Sequence, residues 1–342
     1  MFFSNFFKAT LSVAERRELI NKRIRSYNFL LEFLEREHID WDVPPNTEYI
    51  VSRLRDIISE FDNQTFSFLV CHTGYIPETY PADSSKETLY TKLIETIVVE
   101  WAIRIGFTES ILPTQKSSKE DVTIKDQRNV IVCDAKSFRL GRSQGAPNVK
   151  DVLKHADIAK WLSSYPDYDR LGGLVTFPSQ HDWKKGSDFY QYTTDHELPT
   201  ICLNYEHMSF FLLNNYDKDR LIDTYRRYVD IFPSVVDKKD NNRDIYYEKI
   251  EEFLFHDNIE GWNKFKVEAS KVVSEFVHHC KVTLSNDISA IKDEVARKYS
   301  SEMDIDRLRQ FAIETEVLRK TEDLFKQLER IDKFRTPSDD YS

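Results

Sequence analysis

Apolar residues Leu19, Ile20, Ile24, Phe29, Leu30, Leu31 and Leu34 recur three to four positions apart among charges, the spacing of one helical face. Residues 10–62 therefore read as helices, interrupted at Pro44-Pro45, with a second helix from about Thr47 to Phe61. The stretch Gly74 to Pro81 carries two prolines and reads as a loop. Ser84-Ser85-Lys86-Glu87 has the spacing of a capping box and opens a long helix to about Ile105.

The period changes after Asp121. VTI (122–124) and VIVCDAKSF (130–138) are runs rich in β-branched residues around the polar KDQRN, which predicts a hairpin. A helix from Val149 to Leu162 and strands at Gly172–Phe177 and Thr200–Asn204 follow. Alternation of this kind predicts an α/β layer. From Asp217 to Phe334 the pattern is helical, charged and almost free of glycine. The expected fold is mixed α/β: a helical region over 1–82, a core over 83–215 with a mixed sheet, and a helical region over 216–342.

Composition narrows this further. The 342 residues are 40% hydrophobic, enough for a substantial core, and 8 glycines with 11 prolines argue against an all-β chain of tight turns. Cys71, Cys133, Cys202 and Cys280 are scattered and form no CxxC, which suits free thiols in a reducing cytoplasm. No apolar run approaches the roughly 18 residues that a membrane span needs. The expectation is a soluble cytoplasmic protein. Net charge is -10, yet Lys136, Arg139, Arg142, Lys150, Lys154 and Lys160 face only Asp151 and Asp157 within 136–160. A phosphate backbone responds to such a local field rather than to the total.

The candidate chemistry lies on the second hairpin strand. Side chains alternate along a strand, so Asp134 and Lys136 share a face while Ala135 points away. A turn centred near Gln127 brings Asp121 to the same end of the ribbon as Asp134, where directly opposed Cβ atoms are roughly 4.5–5.5 Å apart. Two carboxylates that close repel, and a hard divalent cation with oxygen ligands relieves them. Magnesium fits that all-oxygen set, with manganese as its substitute. A lysine beside such a centre suits phosphodiester hydrolysis. A third carboxylate is expected on the preceding helix. Glu100 interrupts the apolar run TIVVEWAI, Glu95 competes with it, and Glu87 is assigned to the cap.

Cys133-Asp134-Ala135-Lys136-Ser137-Phe138-Arg139-Leu140-Gly141-Arg142, preceded by Asp121-Val122, closely resembles the active-site strand of the HindIII-type restriction endonucleases, which carry a PD-(D/E)xK active site. Softer likenesses run from Pro77-Glu78 to Glu87 and through Asn204-Tyr205-Glu206-His207, so the resemblance covers roughly 74–215. It implies a type II restriction endonuclease of a restriction–modification system. It implies Asp121, Asp134 and the Ala135 backbone carbonyl as metal ligands, Lys136 as catalytic lysine, and a helix glutamate. By its spacing to Asp121, Glu100 is the expected one. It further implies a homodimer that cuts palindromic duplex DNA to 5′-phosphate and 3′-hydroxyl ends.

Arg142, Gln144 and Asn148 have the donors and acceptors that read base edges, while Arg139, Ser143, Lys150 and Lys154 suit phosphate contacts. GxxxxGK[ST] and GxGxxG are both absent, so no nucleotide cofactor is expected. His155, His207 and the His278-His279-Cys280 run read as structural. Two alternatives stand beside the restriction reading. One is a related nuclease of DNA repair or branched DNA, and the other is a non-catalytic helical DNA-binding or scaffold protein whose DAK strand is merely structural.

Overall fold

A computed structural model describes residues 27–113, 119–141, 148–186, 188–194, 197–233, 242–300 and 306–333. The helical pattern before residue 27 lies outside them. Helix α1 (Phe29–Glu37) buries Leu30, Phe33 and Leu34, and α2 (Thr47–Ser59) follows the two prolines. The Asn46 side chain caps α2 by accepting from the Tyr49 amide. A further helix that the pattern left unassigned, α3 (Asn63–His72), is buried over its whole second half. An all-round apolar helix has no stripe, which is why periodicity did not mark it.

Strand β1 (Tyr75–Ile76) sits inside the stretch expected to be loop. Gly74 lets it approach, because a Cβ there would lie 2.6 Å from Pro178 and from Tyr205. Helix α4 (Ser85–Arg104) starts as the cap predicted, with Ser84 accepting from the Glu87 amide. The Glu87 carboxylate, however, accepts from the Asp83 amide rather than from that of Ser84.

The main sheet has the order β2 (Val122–Lys125), β3 (Asn129–Ala135), β5 (Asp169–Phe177), β6 (Thr200–Asn204). The β2–β3 pair is antiparallel and the others parallel, which is the mixed sheet expected. Strand β3 is shorter than its sequence pattern. It leaves the sheet after Ala135, and Phe138–Arg139 form β4 in parallel register with β1. There the Phe138 and Leu140 amides bond the Gly74 and Ile76 carbonyls.

The helix expected over 149–162 is split into α5 (Val149–Val152) and α6 (His155–Leu162). Leu153 is extended at the break and turns into the core, while the His155 ring bonds the Tyr192 carbonyl at 2.9 Å. Helix α6 packs on β3 and β5, and α4 packs on β2. The remainder is helical: α7 (Phe189–Thr193), α8 (Tyr205–Leu213), α9 (Lys218–Arg226), α10 (Tyr228–Ile231), α11 (Arg243–Phe255), α12 (Ile259–Ser300) and α13 (Asp306–Asp332). The long α12 runs against α3 and α8, and α13 folds back along it. One hydrophobic cluster extends from Tyr27 to Ile331 and includes Trp101, Trp183 and Trp262. Among the described residues no helix is long and apolar enough to cross a membrane, and all four cysteines are free thiols.

Candidate active site

The hairpin register decides the geometry. Val122 faces Cys133 as the outermost registered pair, and Asp121 and Asp134, the residues just beyond it, are neighbours. The Asp121 amide donates to the Cys133 carbonyl at 3.0 Å, and the Asp121 carboxylate accepts from the Ala135 amide at 3.0 Å. Ala135 thus keeps its amide bonded where β2 has run out. Lys136 returns to the same side as Asp134, and its Nζ is 2.7 Å from Asp134 Oδ2. Burial, and then the neighbouring Asp134, hold the Asp121 carboxyl above the ordinary aspartate range.

The helix glutamate beside this pair is Glu95, not Glu100. Burial and the charge of Asp121 push the Glu95 carboxyl up to about 7, against the pull of Lys92, whose ammonium bonds it. Glu100 is also buried, which is what its place in an apolar run suggested, but for another reason. Its carboxylate accepts from Arg104 Nε at 2.8 Å, and Arg104 reaches the Ile58 carbonyl at 2.8 Å and Asn63 Oδ1 at 3.0 Å. Five helical residues turn the direction by roughly 140°, so the two glutamates cannot serve one site. Glu100 braces α4 against α2 and α3. The sequence signals that separate them are Arg104 four residues after Glu100 and Lys92 three residues before Glu95.

The DNA-contact candidates divide. Arg139 is engaged within the protein: its guanidinium pairs with Glu87 at 2.8 Å and donates to the Tyr80 carbonyl at 2.8 Å. Asn148 caps α5 by accepting from the Lys150 amide. Lys150 is exposed, with its ammonium over the Tyr192 ring, and Lys154 is exposed. Arg142, Ser143 and Gln144 lie outside the described residues. His207 is a core residue, as expected. Its ring accepts from the Asn204 amide, stacks on Trp262 at 4.7 Å and lies 3.5 Å from Glu251. Its neighbour Glu206 is buried with Ser179 donating to it, and burial pushes its carboxyl up to about 8. His279 bonds Asn28 at 2.7 Å.

The donor set fits a hard divalent cation. Asp121 and Asp134 are two oxygen donors brought together at the end of the hairpin, and a cation would relieve the raised proton affinity of Asp121. Among the described residues no group of three or more His, Cys, Asp or Glu side chains converges on one metal position. An ion held here would complete its shell with backbone carbonyl, water and phosphate oxygens, the usual habit of magnesium.

The family model of the HindIII restriction endonuclease matches residues 40–312, most of the chain and all of the site. The chain belongs to the HindIII restriction endonuclease family. No curated protein matches it. The HindIII family is one of DNA-cleaving hydrolases, and the mixed sheet with its helical surround is the restriction-endonuclease-like fold.

Proposed function

We propose that the protein is a type II restriction endonuclease that hydrolyses phosphodiester bonds at a fixed palindromic site in duplex DNA. The observation that carries the reading is the juxtaposition of Asp121, Asp134 and Lys136 at the end of β2 and β3, with Glu95 beside them. In this reading Asp121, Asp134 and the Ala135 carbonyl hold magnesium, or manganese in its place. The bound ion polarises a phosphate oxygen and lowers the pKa of a water.

The chain's own groups do the rest. Lys136, with about a quarter of its side chain exposed, orients the attacking water and offsets the charge that gathers on the phosphorus oxygens. Glu95, beside the aspartate pair on the helix, accepts a proton from that water. Attack opposite the 3′-oxygen forms the new P–O bond as the P–O3′ bond breaks, and the departing 3′-oxygen takes a proton from solvent water, which leaves a 5′-phosphate and a 3′-hydroxyl. A two-fold dimer matches a two-fold DNA site, and exposed Lys150 and Lys154 suit phosphate contacts beside it.

Digestion of a sequenced plasmid with magnesium, beside Asp134→Ala, tests this. Discrete fragments with mappable ends that need both metal and Asp134 are expected. Cleavage without a fixed site would turn the reading toward a repair nuclease, and intact plasmid would overturn it.

A further inference from the structure

Lys136 is not the one cation at this site. Lys92 stands on α4 one turn before Glu95, and its ammonium bonds the Glu95 carboxylate. The two lysines are built alike. The Lys136 side chain is 27% exposed beside an Asp134 side chain at 7%, and the Lys92 side chain is 26% exposed beside a Glu95 side chain at 7%. Each lysine side chain is therefore partly open to solvent and tethered to a nearly buried carboxylate, one from the strand side and one from the helix side. Lys92 is also felt at Asp121.

A pair serving only the fold would gain little from this arrangement. Even with Lys92 bonded to it, burial leaves the Glu95 carboxyl at about 7, so the pair does not offset the cost of burying that charge. A lysine rather than an arginine also gives a point charge on a flexible stem, free to exchange one oxygen partner for another.

We propose that Lys92 is a phosphate-contacting residue of the cleavage site, held on Glu95 in the free protein and transferred to a DNA phosphate oxygen when the duplex enters. The inference rests on the nuclease reading and adds a second cation to it, carried by the helix rather than by the strand. Its release also frees a Glu95 oxygen at the moment of substrate binding, so phosphate arrival and exposure of the helix carboxylate become one event.

Binding of a labelled duplex without divalent metal, measured across a salt series, tests it in the full-length protein. The variants are K92M, K92R and K92Q, each also in an E95Q background so that the loss of Lys92 is not confused with the unpaired Glu95 charge. One phosphate contact contributes about one to the slope of log affinity against log salt. K92M and K92Q are expected to lower that slope by about one and weaken binding several-fold. K92R is expected to restore the slope, and single-turnover cleavage by K92M should fall roughly 100-fold. A wild-type slope in K92M and K92Q, in both backgrounds, would overturn the proposal whatever happens to the rate. Where wild type neither binds with a salt slope nor cuts, the nuclease reading itself fails. Where wild type binds and cuts but the slope ignores Lys92, this inference alone fails.

Discussion

Asp121 lies beside Asp134 at the end of the β2–β3 ribbon, and its carboxylate is bonded to the Ala135 amide 3.0 Å away. Like charges at such a position oppose folding and favour a cation. Asp121→Asn keeps an oxygen for the Ala135 amide and removes the repulsion. The melting temperature should therefore stay level or rise, while magnesium-dependent cleavage falls by roughly 1,000-fold or more. Differential scanning fluorimetry and single-turnover kinetics on one preparation check both halves. A lower melting point together with intact cleavage would contradict the assignment.

The two glutamates of α4 should separate cleanly. Glu95→Gln is expected to cost about 100-fold or more in cleavage rate with little change in stability. Glu100→Gln should leave the rate within a few-fold and lower stability by about 1–3 kcal/mol, since Arg104 loses its charged partner inside the α2–α4 junction. Urea unfolding alongside the rate measurement distinguishes them.

Glu206 makes stability depend on pH. Burial raises its carboxyl to about 8 from an ordinary 4.5, so the folded protein keeps a proton that the unfolded chain releases. Below pH 4.5 both states hold the proton and nothing is lost. Stability then falls as pH rises toward 8 and levels off above it. Glu206→Gln should remove this component, so the gap between variant and wild type in urea midpoint should widen from pH 5 to pH 8. A constant gap would show that Glu206 is ionised in the fold.

Gly141, at the end of the catalytic segment, touches α13. Its amide donates to Glu78 at 2.9 Å, Glu78 also pairs with Arg330 at 3.1 Å, and a Cβ on Gly141 would lie 2.6 Å from Arg330 Cβ. Gly141→Ala should destabilise by about 1–3 kcal/mol through crowding. Arg330→Ala keeps the clashing Cβ and should recover none of that loss, whereas Arg330→Gly removes it and should recover part, measurable as a double-mutant cycle.

Much of this arrangement was legible in the chain. The hairpin, its register and the Asp121–Asp134–Lys136 set follow from period-two alternation and a countable turn. The long helix beside them follows from its cap. What was not legible is instructive in each case. Glu100 was chosen over Glu95 because an acid in an apolar run signals burial, and both are buried; only the cation partnered with each tells which way it faces. Arg139 reads as a phosphate contact by type, yet Glu87, far away in sequence, already holds it. The ending of β3 at Ala135 depends on β1, a two-residue strand within a proline-rich stretch that no local pattern marks. The break at Leu153 likewise depends on tertiary burial.

Helix α4 carries one acidic group at each stage of its length. Glu87 fastens its first turn to Arg139, Glu95 meets the aspartate pair, and Glu100 fastens its last turn through Arg104 to α2 and α3. The reacting groups are thus supported as a bridge deck is, from two abutments with the traffic at mid-span. Displacements of even ~1 Å at a reacting centre cost about 100-fold in rate. Turnover should therefore act as a strain gauge for the helix, sensitive to substitutions that shift either abutment and nearly indifferent to one, such as Glu100→Gln, that leaves the helix in place.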